Sequence, residues 1–260
     1  MTSELQPAGA TSADEDSRRT TGKPRLTDKQ RKTRGVKLFL RDILFIFLAA
    51  LLISFLIKTF LIRSFYIPSE SMMDTLHVDD RIIVNLLEPD VVPIDHGDVV
   101  VFTDPGGWLG VPVPKNQNPV AAGIDAVLGF VGLSAPDSDD HLIKRVIGLP
   151  GDLVTCCNDL GQMLVNGVPL EEPYTELGNA TKATTNDFTI TVPEDSLWVM
   201  GDNRYDSADS SYHYALDPET AFVPIDNVVG RAVLVTWPLD RWTWLDNYPI
   251  VFRGVDAAKD

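Results

Sequence analysis

From Ile43 to Ile57 every side chain is apolar except that of Ser54, and Phe60, Leu61 and Ile62 carry the run to 20 residues, interrupted only by Lys58 and Thr59. A helix rising about 1.5 Å per residue would cover roughly 30 Å over that length, one bilayer core. The run is apolar all round, whereas a helix on the surface of a soluble core would be amphipathic. A cleaved export signal has a shorter apolar region and a small-x-small exit, and the exit here, IRSFYIP, lacks one. Lys58, near the end of the run, can reach the headgroups with its ammonium. Lys23, Arg25, Lys29, Arg31, Lys32, Arg34, Lys37 and Arg41 precede the run and few basic residues follow it. The flanks therefore put the N-terminus in the cytoplasm and residues 64–260 outside.

Charge divides at the same place. Residues 1–63 carry 12 Lys and Arg against 6 Asp and Glu, a net of +6; residues 64–260 carry 10 against 31, a net of −21. The larger part would repel phosphate, so no nucleic-acid partner is expected. Residues 1–35 have almost no large apolar side chains and are expected to be a disordered cytoplasmic tail, with the anchor over 36–63. Beyond the anchor, RIIVN (81–85), DVVVF (98–102), HLIKRVIG (141–148), MLVNG (163–167), FTITV (188–192), LWVM (197–200) and RAVLVTW (231–237) are short and rich in Val and Ile, between Pro, Gly, Asp and Asn. That pattern predicts an all-β ectodomain of antiparallel sheets behind one N-terminal transmembrane helix. Residues 105–140 break the pattern and read as a surface insertion, or as an interfacial helix with Trp108 and Leu109 dipping into lipid. A smaller β excursion is expected over 156–196. Trp237, Trp242, Trp244 and Tyr248 near the end suit either a membrane interface or the β core.

The four histidines (His77, His96, His141, His213) are scattered, and the only cysteines are adjacent, Cys156 and Cys157. Neither gives a metal-ligand spacing, so no metal or other cofactor is expected. Adjacent α-carbons lie about 3.8 Å apart across a trans peptide, below the usual disulfide range, so a vicinal bridge and a pair of thiols are both open.

The candidate chemistry begins just past the anchor, in FYIPSESMMDTL (65–76), where Ser71 stands eight residues beyond Arg63 and so at most about 26 Å from the bilayer. A serine needs a base to act as a nucleophile. Lys144 lies in the strand HLIKRVIG, where Leu142 shares its face and Ile143, Arg145 and Ile147 point the other way. Burial would lower its pKa toward the range a general base needs, whereas a place at the strand edge would leave it an ordinary solvated lysine.

These stretches together resemble the bacterial type I signal peptidases, membrane-anchored Ser/Lys-dyad proteases that remove signal peptides from exported proteins. IPSESMMDTL is similar to the family's nucleophile box, DRIIVN and HGDVVVF to the strands after it, and KRVIGLPGD (144–152) to its lysine box, followed by VNGVPLEEPY. MGDNRYDSADS (200–210) is similar to its last box, with FVPIDNVVGRA behind. The order of the boxes behind an N-in anchor makes the resemblance specific. It implies Ser71 as nucleophile and Lys144 as neutral general base, with the Ser71 N–H and Ser69 hydroxyl as oxyanion donors and Ser207 as the hydroxyl that orients the lysine. Asp202, Arg204 and Asp209 would brace the site. Phe65, Ile67, Pro68, Met72, Leu76, Ile82 and Ile143 would line pockets for small side chains at −1 and −3, giving cleavage after Ala-x-Ala-like sites. The implied partners are signal peptides of preproteins and membrane lipid, close to the secretion translocon.

Two positions depart from the family pattern. Asp74 stands where Pro is usual, and Ser211 where Arg is usual; the second would deprive Asp209 of an ion-pair partner and leave Arg204 to serve alone. Other serine or thiol classes fit less well. A penicillin-binding protein needs Ser-x-x-Lys and Lys-Thr-Gly; position 74 is Asp and no Lys-Thr-Gly occurs. A sortase would need a cysteine with histidine and arginine around it, and the self-cleaving SOS repressors carry a DNA-binding domain in place of an anchor. A tethered, inactive signal-peptide binder would have no use for the Ser71, Lys144, Ser69 and Ser207 set.

Overall fold

The computed structural model describes residues 28–109 and 140–259, with side chains from residue 37 onward. The expectations for residues 1–27, and for most of the insertion over 105–140, lie outside the described residues. Helix α1 runs from Asp28 to Phe60. Its segment Lys37–Phe60 has a mean hydropathy of 2.6 and none of it is buried within the protein. So much exposed Leu, Ile and Phe is tolerable only in hydrocarbon, since each such side chain is worth about 1.5–3 kcal/mol when removed from water. Among the described residues the chain thus has one N-terminal membrane-spanning helix, and the β domain beyond it is extracytoplasmic.

That domain contains two antiparallel sheets. The larger is built from β1 (Ile62–Tyr66), β2 (Arg81–Asn85), β3 (Val99–Thr103), β4 (His141–Gly148), β9 (Ser196–Met200), β10 (Val223–Pro224), β11 (Val228–Trp237) and β12 (Thr243–Trp244). Its order is β1-β2-β11-β3-β4-β9-β10, with β12 also paired to β11. The smaller sheet, in the order β7-β6-β5-β8, uses β5 (Leu153–Cys156), β6 (Met163–Val165), β7 (Val168–Pro169) and β8 (Phe188–Thr191). Helix α2, Ser210–Leu216, follows β9.

β2, β6 and β8 bury alternate side chains, as half-covered strands do, whereas the central strands β3, β4 and β9 are buried on both faces. Phe65, Ile82, Val84, Val99, Val101, Ile143, Ala232 and Val235 form one cluster with Ile67, Met72 and Leu76. Ile147, Trp198 and Met200 of the larger sheet share another with Val154, Met163, Val165, Phe188 and Ile190 of the smaller. Trp198 is fully buried there, 4.8 Å from the Phe188 ring. Phe252 and Val255 from the C-terminal segment close the same cluster. β11 passes so near β2 at Gly230 that a Cβ there would fall 2.2 Å from the Asn85 carbonyl oxygen.

Cys156 and Cys157 are joined in a disulfide. Trp108 is buried, so its placement in lipid is overturned: its indole N–H donates to the Thr220 carbonyl at 2.8 Å and its ring stacks on His213, which together satisfy both its polar and apolar parts inside the domain.

Candidate active site

β1 delivers the chain into a turn whose shape is set by what it buries. Ile67 exchanges backbone hydrogen bonds with Asp79 and Asp80, closing the loop at its base. Met72 and Leu76, both with no exposure, anchor its inner side, and Leu76 N–H donates to Met72 O at 2.8 Å. Asp74 is exposed, so the departure from the usual proline falls on the solvent side of the turn. The outer side carries Pro68, Ser69, Glu70 and Ser71.

β4 brings Lys144 opposite. It pairs with Val100 of β3 and is 3 % exposed. Its Nζ donates to Ser71 Oγ at 2.8 Å and to the Ile143 carbonyl at 3.0 Å. Burial lowers its pKa to about 8, against the opposing pull of the Asp209 and Asp202 charges. The strand-edge alternative for this lysine therefore does not hold. Ser69 Oγ lies 3.3 Å from Ser71 Oγ.

The next residue on β4 faces the other way and ties the site together. Arg145, fully buried, grips Asp202 with Nε at 2.8 Å and Nη2 at 2.7 Å, and donates through Nη1 to Gly97 O at 2.7 Å. Thr75 donates its hydroxyl to the same Asp202 carboxylate. Asn203 N–H in turn donates to Ser71 O at 3.1 Å. The lysine strand, the 201–204 segment and the nucleophile turn are thus one hydrogen-bonded unit. Gly201 sits in its middle, where a Cβ would fall 2.3 Å from Ser207 Oγ and 2.4 Å from Ser71 O.

The bracing residues divide differently from expectation. Arg204 pairs with Glu172, Nη1 to Oε2 at 2.8 Å, and Nε donates to Gly201 O at 3.1 Å. Asp209 caps α2, accepting from Ser211 N–H at 3.0 Å and from Ser211 Oγ–H at 2.7 Å, while its other oxygen accepts from Gly201 N–H at 3.0 Å. Ser211, the apparent loss, is itself the partner of Asp209, and Arg204 takes its carboxylate from a loop 32 residues earlier in the chain. Ser207 Oγ is buried beside Gly201 and makes no hydrogen bond among the described residues, so the expected bond to Lys144 is not formed in this structure.

Ser71 and Lys144 open onto a cleft of about 680 Å³ lined by Pro68, Ser69, Glu70, Val78, Trp108, Leu109, His141, Leu142, Ile143, Asp206 and Ala208. Of the pocket residues read from the sequence, Pro68 and Ile143 line it. Phe65, Ile67, Met72, Leu76 and Ile82 are core side chains: Phe65 and Ile82 are on the inward faces of β1 and β2, and Ile67, Met72 and Leu76 are on the inner side of the turn between them. Trp108, Leu109 and His141 were not singled out as cleft residues; β3 and β4 carry them there, and no local motif marks that.

Among the described residues, one group could gather metal ligands: Cys156, Cys157 and Asp187 have ligand atoms within 4.8 Å of one another. The two sulfurs are bonded to each other, and Asp187 pairs with Lys182 at 2.6 Å.

A family model described as signal peptidase, peptidase S26, matches residues 40–237. This chain belongs to that family. It is similar to signal peptidase I of Mycobacterium tuberculosis, 37 % identical over 220 residues that cover 78 % of this chain and 74 % of that protein. A probable signal peptidase I of Mycobacterium leprae is 40 % identical over 202 residues, 68 % of each chain. Signal peptidase I of Leptolyngbya laminosa is 37 % identical over 188 residues, 71 % of this chain and 73 % of that one. As a signal peptidase I family member, the protein is a membrane-anchored serine endopeptidase acting on exported preproteins, whose signal peptides are its substrates.

Proposed function

We propose that this signal peptidase cuts preproteins after small-x-small sites through an acyl-enzyme on Ser71, with Lys144 as the base. The observation that carries the reading is the 2.8 Å hydrogen bond between Lys144 Nζ and Ser71 Oγ, made by a lysine whose pKa burial lowers to about 8. Neutral Lys144 takes the Ser71 hydroxyl proton as Oγ attacks the scissile carbonyl. The new oxyanion accepts from the Ser71 N–H and from the Ser69 hydroxyl, which turns from Ser71 Oγ toward the developing charge. The lysine returns its proton to the leaving amine, and the mature protein departs with a free N-terminus. Lys144 then deprotonates a water that attacks the acyl carbon, the bond to Ser71 Oγ breaks, and the lysine returns that proton to Oγ as the cleaved signal peptide leaves.

Asp202, Arg204 and Asp209 act in this reading by position, fixing the backbone around Gly201 against Ser71, and the charges of Asp209 and Asp202 keep the Lys144 pKa from falling further. Ser207 Oγ, buried beside Gly201, serves as a hydroxyl that can turn to the ammonium when Lys144 is protonated. We further propose the division at residue 63 between anchor and catalytic domain, contact of the domain with lipid, and work beside the translocon. Each keeps enzyme and substrate at one bilayer surface.

The test of specificity uses the full-length enzyme in detergent and a preprotein with Ala at −1 and −3. The expected result is a single cut after −1, read from the N-terminus of the product, and its loss when either Ala becomes Leu or Trp. Equal cutting of the parent and the substituted substrates would contradict small-residue pockets.

A further inference from the structure

Beyond β3 the chain makes a tight loop, Asp104 to Leu109, organised by one carboxylate. Asp104 Oδ1 accepts from Gly106 N–H at 2.8 Å and from Trp108 N–H at 3.0 Å, and Oδ2 accepts from Leu109 N–H at 3.1 Å. Burial works against its charge, but backbone donors from Gly106, Trp108, Leu109 and Gly107 prevail and hold the group below the ordinary carboxylate range. The loop is therefore clamped on its own backbone.

The clamp fixes a large side chain from several sides. The Trp108 ring lies nearly parallel to His213, centroids 4.4 Å apart, and edge-on to Phe102 at 5.8 Å. Its N–H is bound by Thr220 O. Trp108 and the half-buried Leu142 of β4 belong to one apolar cluster, and both face the cleft that holds Ser71 and Lys144, with half-buried Leu109 beside them. A preformed apolar wall thus stands in the same cleft as the reacting groups. The pockets for small residues do not need it, since they reject bulk by closeness and not by offering apolar area.

Resting on the function proposed above, we infer that the Asp104-clamped loop and Leu142 form an additional subsite that takes one bulky apolar side chain of the preprotein. Leu109 and Leu142 are its specificity-determining contacts, and Asp104 is a positioning residue acting through the loop. In an extended peptide alternate side chains point to opposite sides, so a subsite off the line of the −1 and −3 pockets reads a single further position. Apolar area buried at that position strengthens binding, so the preference falls mainly on KM.

The experiment is a peptide series with Ala at −1 and −3, in which each other position from −5 to +2 is Ala or Leu in turn, cleaved by full-length enzyme. Wild type is expected to favour Leu over Ala by about tenfold in kcat/KM at one position. Leu109→Ala and Asp104→Ala should bring that ratio close to one through KM, while Leu109→Met retains it. Leu109→Ala changes a half-exposed side chain and keeps the test valid if Asp104→Ala does not fold. A wild type with no such preference, or variants that leave the ratio intact or shift every position alike, would overturn the subsite alone. A wild type that cleaves none of the peptides would remove the parent reading, and the subsite with it.

Discussion

At neutral pH a lysine with a pKa near 8 is neutral in roughly one molecule in ten, against fewer than one in a thousand at the ordinary value. Burial of Lys144 produces that shift, and the Asp209 and Asp202 charges limit it. The proposed base is the neutral form, so kcat/KM should rise about tenfold per pH unit below 8 and level off above it. A rate profile from pH 5 to 9 checks this, and a flat line would contradict a lysine base. The Ser69 hydroxyl is 3.3 Å from Ser71 Oγ and is assigned to the oxyanion. Ser69→Ala should lower kcat by a factor on the order of 10–1000 with little change in KM, as a lost donor to a developing charge does; steady-state kinetics on the two enzymes would show it.

β4 shows how one element serves chemistry and stability at once. Alternation sends Lys144 to the cleft and Arg145 to Asp202, with Arg145 also stacked 4.1 Å above the Tyr174 ring. Removing one partner of a buried pair leaves a charge without compensation. Asp202→Ala should therefore destabilise the domain by about 3–5 kcal/mol, and more than the Arg145→Met, Asp202→Leu double variant; denaturant unfolding of the three proteins would rank them. This strand was legible in the sequence because its eight residues are β-branched and apolar enough to read as one run, and RIIVN of β2 was legible for the same reason. β5 was not, since LVTC is short and runs into a second cysteine. Helix α2 has only seven residues, and its start depends on an Asp209 cap that local pattern does not separate from a polar loop. The Ser71–Lys144 pair was legible through the box order. The Arg204–Glu172 pairing was not, because it depends on how two segments 32 residues apart meet, and the Asp209–Ser211 contact was not, because it exists only once the short helix α2 is formed. The core position of Phe65 and Ile82 follows from which face β1 and β2 turn inward, and that of Ile67, Met72 and Leu76 from how the turn between the two strands folds over the sheet.

Over the whole molecule, an apolar helix and a strongly acidic extracytoplasmic domain divide the work. The helix holds the enzyme where preproteins carry their own apolar segments, and residues 64–260 carry a net charge of −21. On the proposed mechanism, catalysis depends on the alignment of a turn after β1 with the middle of β4. The most direct measurement is therefore cleavage of a purified preprotein with an Ala-x-Ala site by the full-length enzyme, Ser71→Ala and Lys144→Ala, each checked for native folding. The account predicts a mature N-terminus from the wild type and none from either folded variant. Full activity in a variant, or none in the wild type, would contradict the dyad.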